Sequence, residues 1–210
     1  RGFRNSIENL VNNTKHKTYF SILFYIDLNQ FKSINDSLGH EVGDDVLLAV
    51  SKRLVELFDK KCIVSRLGGD EFIIMVPHIS EDKNVAHEEA QEFSREIQDI
   101  FTEPFIIKEM HLHIKSSIGI VLMDPGYMNT EEIIRHADLS MYQAKTSNDH
   151  VAYYDSSLDK QQKELFILQH DLAYAVEKNK FDLFYQPIVM IKDDTLRFAV
   201  DLIRSEHPNK

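Results

Sequence analysis

The chain has one cysteine and no tryptophan in 210 residues. A lone Cys62 excludes an internal disulfide and fits a reducing compartment, so a cytoplasmic location is expected. No apolar run approaches the roughly 20 residues needed to cross a bilayer. No N-terminal stretch has the build of a signal peptide, and no low-complexity tract or internal repeat is visible. Positive charge is scarce too: 24 Lys and Arg against 34 Asp and Glu give a formal charge of −10. That excludes the basic face that broad nucleic-acid binding needs. It leaves room for a phosphorylated small molecule, provided a divalent cation and a few lysines offset the local charge.

What is present is the composition of a globular protein, 43% hydrophobic and 28% charged, which excludes disorder. The length suits one domain of ordinary size and part of a second. The opening "RGFRNSIENLV" reads as a helix. Residues 19–27, "YFSILFYID", form a continuous apolar run of strand length, expected to be a central strand buried on both faces. Val42, Val46, Val50, Leu54 and Phe58 recur every four residues, the mark of a helix with one buried stripe. "CIVSRL" and "EFIIMVP" flank Gly68 and Gly69 as a hairpin, with Cys62 expected in its first strand as a buried apolar residue. Residues 84–101 are helical, with Ala86, Ala90, Phe93, Ile97 and Ile100 on one side. "MHLHIKSSIGIVLM" alternates as one strand, interrupted only by Ser116. Thr130 is placed to cap a further helix with Glu131 and Glu132 in its first turn and Lys145 near its end. "HVAYY" closes the pattern as a strand. The order predicts an α/β sandwich, a mostly antiparallel central sheet flanked by helices, with a C-terminal helix-strand extension. In that extension Leu165, Leu168, Leu172 and Val176 form the stripe and "FDLFYQPIVMI" the strand.

The chemistry concentrates around "SRLGGDEF". Asp27 ends one apolar strand, and Asp70 and Glu71 begin another. If those strands are neighbours, three carboxylates converge at one end of the sheet. Such hard oxygen ligands suit Mg²⁺, which binds through one or two carboxylates plus substrate phosphates. Gly68 and Gly69 allow positive φ and let a polyphosphate lie against bare backbone. A surface turn with solvated acids satisfies the same residues. Between the two strands stand Lys32, Asn35, His40, Asp44 and Asp45. An Asn amide and an Asp carboxylate together match the donor and acceptor edge of guanine. Lys32 and Lys145 can meet phosphate as point cations. Here too a plainer reading exists: Asn35 and Asp36 as loop residues, Asp44 and Asp45 as decoration of a helix start. His111 and His113 are read as surface strand residues.

With "IDLNQFKSINDSLGHEVGDDVL" upstream and "SIGIVLM" and "ADLSMYQAK" downstream of "RLGGDEF", the chain resembles the GGDEF domain of diguanylate cyclases over about residues 2–154. The resemblance implies a nucleotidyl-cyclase-like fold for a domain at 1–155. It implies that two GTP molecules, one on each subunit of a homodimer, condense to cyclic di-GMP and pyrophosphate. Asp27, Asp70 and the Leu28 carbonyl would bind Mg²⁺ or Mn²⁺. Asn35 and Asp44 would read guanine, with His40 against the nucleotide and Gly68 and Gly69 beside it. Lys32 and Lys145 would contact phosphates. Asp70 and Glu71 are where the family assigns metal binding and activation of the 3′-hydroxyl, without settling which is the base. The alternative is a regulatory module that binds GTP or a partner domain without turnover. Such domains are commonly joined to sensors upstream.

The resemblance has departures. Asn29 replaces a usual acid at a site read as peripheral. Asn148, Asp149 and His150 stand where Gly-Arg-Asn is common, so an anion replaces a phosphate-binding cation and weak GTP binding or slow turnover is expected. Asp59 and Cys62 occupy the ends of the product-inhibition motif, so no such feedback site is expected. Residues 156–210 resemble the truncated start of a degenerate EAL phosphodiesterase domain. Its signature triplet reads Val200, Asp201, Leu202, so no phosphodiesterase activity is expected. Gln186 and Arg204 match positions that touch the dinucleotide in that family.

Overall fold

Every residue of the strand Ser21–Leu28 (β1) is buried, which requires packed layers on both of its faces. The computed structural model describes residues 18–58, 62–125, 130–178, 181–189 and 196–205. The helix expected at the start of the chain, and Asp59, lie outside these residues. Alternate side chains of a strand point to opposite sides. Accordingly Ile22, Phe24, Ile26 and Leu28 join one apolar cluster, while Leu23 and Tyr25 join another.

The chain divides into two compact units between Leu158 and Asp159. In the first, β1 is followed by α1 (Phe31–Leu38), α2 (His40–Leu57), β2 (Ile63–Gly68), β3 (Glu71–Val76) and α3 (Lys83–Asp99). Then come β4 (Phe105–Ile107), β5 (Met110–Leu112), β6 (Ser116–Met123), α4 (Thr130–Thr146) and β7 (Val151–Tyr153). Five strands form one sheet in the order β2-β3-β1-β6-β7. Only the β6–β7 pair is parallel. The expected mostly antiparallel α/β architecture is the one found.

The helices fall where their apolar stripes require. Val42, Val46, Val50 and Leu54 of α2, and Phe58 after it, are buried on the side of Ile22 and Phe24. Ala90 and Ile97 of α3 join that side. Ile133, Ala137 and Met141 of α4 cover the opposite face, over Leu23, Tyr25, Ile73 and Met75. Arg53 ties the first layer together. Its Nη1 donates to the carbonyls of Ile100 (2.6 Å) and Glu103 (2.8 Å) and its Nη2 to Pro104 (2.7 Å), with the guanidinium 3.8 Å above the Phe105 ring. A planar fork can hold three carbonyls this way; a point charge cannot.

Several local expectations are corrected. The alternating stretch 110–123 is two strands. Met110–Leu112 pairs with β4 in a separate hairpin, and the chain then enters the main sheet at Ser116. The break is fixed where Ile114 turns inward to 2% exposure and the Lys115 carbonyl accepts from the Asn29 amide. Ser116 interrupts nothing, since Ser116 and Ser117 are both buried. Cys62 is half-buried and precedes its strand. His111 and His113 are exposed, as expected, but only His111 lies in a strand.

The helix α5 (Ser156–Glu177) crosses into the second unit, which continues with β8 (Phe181–Val189) and β9 (Leu196–Ser205). The single strand expected here is a pair. The two run antiparallel, with Gln186 opposite Val200 and Tyr185 opposite Asp201. Pairing satisfies a backbone edge that a lone apolar strand would leave open. The stripe of Leu165, Leu168, Leu172 and Val176 on α5 is exposed, and Ala175 is the buried residue of that helix among those described. Among the described residues no helix is long and apolar enough to cross a membrane.

Candidate functional site

The register of β1 on β3 sets Asp27 directly opposite Glu71. Cross-strand partners share a face, so both carboxylates lie on the α4 side of the sheet, at its end. Asp70 immediately precedes β3, and its carbonyl accepts from the Leu28 amide at 3.2 Å. Asp27, Leu28, Asp70 and Glu71 are thus brought to one place. Asp27 is 7% exposed, whereas Asp70 and Glu71 are half-buried.

Lys145, at the end of α4, reaches the same point. Its Nζ lies 2.9 Å from Asp27 Oδ2. Burial pushes the Asp27 carboxyl above its usual value, and the Lys145 hydrogen bond and charge oppose that only in part. The negative charges of Asp70 and Asp138 add to the rise. Tyr25, on the same face, is 5% exposed and is the diagonal neighbour of Glu71 across the strands. Its phenol is raised well above the usual value by burial first, then by the carboxylates of Glu71, Asp138 and Asp27.

The turn that delivers the acids differs in one respect from expectation. Gly69 alone has positive φ (55°), and Gly68 ends β2 with ordinary φ. A side chain at Gly69 would therefore be strained. Nothing lies within 4 Å of where a β-carbon would stand at either glycine, so the space over the turn is open. Arg66 Nε donates to the Gly69 carbonyl at 2.9 Å and braces it.

Two residues separate β1 from the α1–α2 pair, which carries Lys32, Asn35, His40 and Asp44. Asn35 and Asp36 are helical, not loop residues. Gly39, at φ 88°, both ends α1 and begins α2. Lys32, His40 and Asp44 are exposed and Asn35 is half-buried. Gly43, inside α2, has no side chain where the Asn35 amide sits; a β-carbon there would collide with Asn35 Oδ1 and lie 3.3 Å from Phe31 Cζ. A glycine inside a good helix former is a legible signal of close approach. Asn29 is not peripheral. Its Oδ1 accepts from Ser117 Oγ at 2.8 Å, and Ser117 is the β6 partner of Asp27.

Asp149 lies in the exposed turn between α4 and β7, where its carbonyl accepts from Gln98 at 2.6 Å. The neighbouring His150 carbonyl accepts from the Ile118 amide, next to Ser117, so this turn borders the same sheet end.

Among the described residues no three Asp, Glu, His or Cys side chains form a ready-made metal cage. The donor set nevertheless fits a hard divalent ion. Mg²⁺ is usually held by one or two carboxylates plus substrate phosphates, not by an all-protein cage. Two opposed carboxylates beside an open, glycine-lined turn supply the protein's share. Asp27 already holds a cation, the Lys145 ammonium. That Lys145 is 40% exposed leaves it free to swing towards another anion.

Comparisons with known proteins establish the family and the fold. Residues 1–150 match the family model "Diguanylate cyclase, GGDEF domain". The chain is 35% identical over 210 residues to the signaling protein YkoW of Bacillus subtilis, covering 98% of this chain and 26% of that protein. It is 32% identical over 190 residues to the bifunctional diguanylate cyclase/cyclic di-GMP phosphodiesterase MucR of Pseudomonas aeruginosa, covering 90% of this chain and 27% of that one. The chain thus spans about a quarter of the length of these relatives. In fold it is similar to the GGDEF domain of YfiN (TpbB) from Pseudomonas aeruginosa, with a TM-score of 0.67, 24% identity and coverage of 77% of this chain and 92% of that one. A buried carboxylate faced by a second across the sheet, beside the Gly68–Gly69 turn and within a family match over 150 residues, makes this chain a member of the GGDEF-domain family of diguanylate cyclases.

Proposed function

We propose that the chain is a Mg²⁺- or Mn²⁺-dependent diguanylate cyclase that condenses two GTP molecules to cyclic di-GMP and pyrophosphate as a homodimer. The observation that carries this reading is the pairing of Asp27 with Glu71, with Asp70 adjacent and Lys145 at 2.9 Å from Asp27. Asp27, Asp70 and the Leu28 carbonyl would hold the ion, with Glu71 as a further ligand or as the base for the 3′-hydroxyl. When bound, the ion supplies charge neutralisation and polarisation at the α-phosphate. The chain's own residues do the rest. The open Gly68–Gly69 turn admits the triphosphate. Lys32 and Lys145 offset its charge. Asn35 and Asp44 orient the guanine, with His40 alongside. Phosphoryl transfer needs in-line placement more than covalent participation. Each subunit presents the 3′-hydroxyl of its nucleotide to the α-phosphate on the other.

The test is incubation with GTP and Mg²⁺ and chromatography for cyclic di-GMP. Product is expected, with a rate that rises faster than linearly in protein concentration. GTP binding without product at high protein concentration would overturn the enzymatic reading. It would favour a regulatory module, the reading that Asp149 supports by setting an exposed anion at this sheet end in place of the family's cation. The same assay reports affinity, and Asp149 predicts a weak one. Residues 1–155 would then be the cyclase domain. Residues 156–210 would be the start of an EAL domain without phosphodiesterase activity, within a longer protein that carries sensory and EAL segments.

The role of Asn35 has its own test. In Gly43→Ala the new β-carbon meets the end of a side chain, which can rotate away. Helix propensity gains about 1 kcal/mol from the change, so stability should move little. The Asn35 amide is displaced from its place, and GTP affinity should fall about tenfold, the value of one good hydrogen bond to the base. Isothermal titration with GTP and with ATP checks this: discrimination between them should shrink, and unchanged discrimination would remove Asn35 from the guanine site.

A further inference from the structure

We infer that the Tyr25 hydroxyl is a positioning donor that fixes the Glu71 carboxylate at the sheet edge, facing Asp27. The inference rests on the cyclase reading for its catalytic consequence, though not for its structural content. Tyr25 lies two residues before Asp27 on β1, so both side chains emerge on the same face. In the β1–β3 register Tyr25 is opposite Ile73 and Asp27 opposite Glu71. Glu71 is therefore the diagonal neighbour of Tyr25, a separation that an aromatic side chain spans. The register sets the two side chains within hydrogen-bonding reach, and the Glu71 carboxylate is close enough to raise the phenol further after burial has done so. An ionised carboxylate only accepts, so the phenol is the donor.

The surroundings make the donor necessary. Lys145, the nearby cation, pairs with Asp27 in the absence of substrate. Asp27 and Glu71 are cross-strand partners, a placement that disfavours like charges directly opposite, so Glu71 gains by turning outward. Glu71 is half-buried, and its long side chain has room to do so. The ring of Tyr25 is packed in the apolar cluster of Leu23, Ile73 and Met141, which fixes where its hydroxyl lies. A rigid donor at that point holds one Glu71 oxygen and leaves the other turned to the site. Most of the strand's other inward positions are aliphatic, so packing alone does not call for a hydroxyl here.

Tyr25→Phe keeps the ring and removes the donor. The variant should fold with an unchanged far-ultraviolet spectrum. Its kcat for cyclic di-GMP formation should fall about tenfold, with KM for GTP within about threefold, the usual effect of losing a group that orients a ligand. Mn²⁺ affinity, read by electron paramagnetic resonance with Mn²⁺ alone, should weaken by about the same factor. In a Glu71→Gln background the further change Tyr25→Phe should leave Mn²⁺ affinity unaltered, because the carboxylate it positions is gone. Equal losses in both backgrounds, no loss in the single variant, or no Mn²⁺ uptake by the unaltered chain would each overturn the inference. Coupled Mn²⁺ affinities in a chain that makes no cyclic di-GMP would sink the cyclase reading and leave the role of Tyr25 standing.

Discussion

Asp27→Asn is expected to lower cyclic di-GMP formation by about 10²–10³, the cost of removing a principal electrostatic contact at a reacting centre. The same change is expected not to weaken the metal-free fold at neutral pH. The two effects have one cause. Burial raises the Asp27 carboxyl above its ordinary value despite the Lys145 partner, so the ionised form is on balance opposed by its surroundings. An acid whose folded value is raised costs nothing below its unfolded value, where both states are protonated. The penalty develops as pH rises from the unfolded towards the folded value and is complete above the latter. Unfolding temperatures in chelator should therefore show a gap between the variant and the unaltered chain, opening in the variant's favour as pH rises from about 4. Lys145, 40% exposed, is hydrated when its partner is neutral and adds little to the loss. Adding GTP with Mg²⁺ should reverse the order, since a ligand stabilises only the form that binds it. A variant that loses activity but is much less stable in chelator at neutral pH would show that the carboxylate is structural, and the metal assignment would fall with it.

A carboxylate kept where its own fold penalises it implies compensation elsewhere, and much of this was legible. The apolar run ending at Asp27 and the "GGDEF" turn fixed two strand ends, and period-2 alternation then put the acids on one edge. The helix stripes of α2 and α4 were equally plain, because four-residue spacing over many turns has few competing readings. What escaped was set by tertiary contact. Ser116 reads as a blemish on an apolar strand, yet it marks where the chain leaves one hairpin and enters the sheet. The exposed stripe of α5 shows the converse: an apolar pattern states that a face needs covering, not what covers it. Tyr25 vanished into a run read as uniformly apolar, though it stands diagonal to Glu71 at the sheet end. Resemblance assigns Lys145 an expected phosphate contact, but its pairing with Asp27 depends on α4 crossing the sheet end, which no local pattern records.

That crossing hangs on one missing methyl group, which gives the largest expected effect on stability. Gly119 lies in β6 opposite Tyr25, beneath α4. A β-carbon there would collide with the Met141 backbone nitrogen and come within 2.6 Å of the Ala137 carbonyl and of Ser140 Oγ. Ser140 is fully buried and donates to that same carbonyl at 2.9 Å, so it has nowhere to turn. Gly119→Ala must therefore lift the helix, whereas Gly43→Ala only turns an amide. Overpacking against backbone costs about 3 kcal/mol. For a unit of this size that is roughly 6–12 °C in Tm. Lifting α4 also carries Lys145 away from Asp27, so Gly119→Ala should lose activity in step with stability, while Gly43→Ala should lose nucleotide affinity alone. Thermal melts of the two variants, read beside GTP titrations, separate these outcomes. Equal stability in both would mean that α4 has slack at this crossing, and that the Lys145–Asp27 pair is not held in place by the packing of the helix.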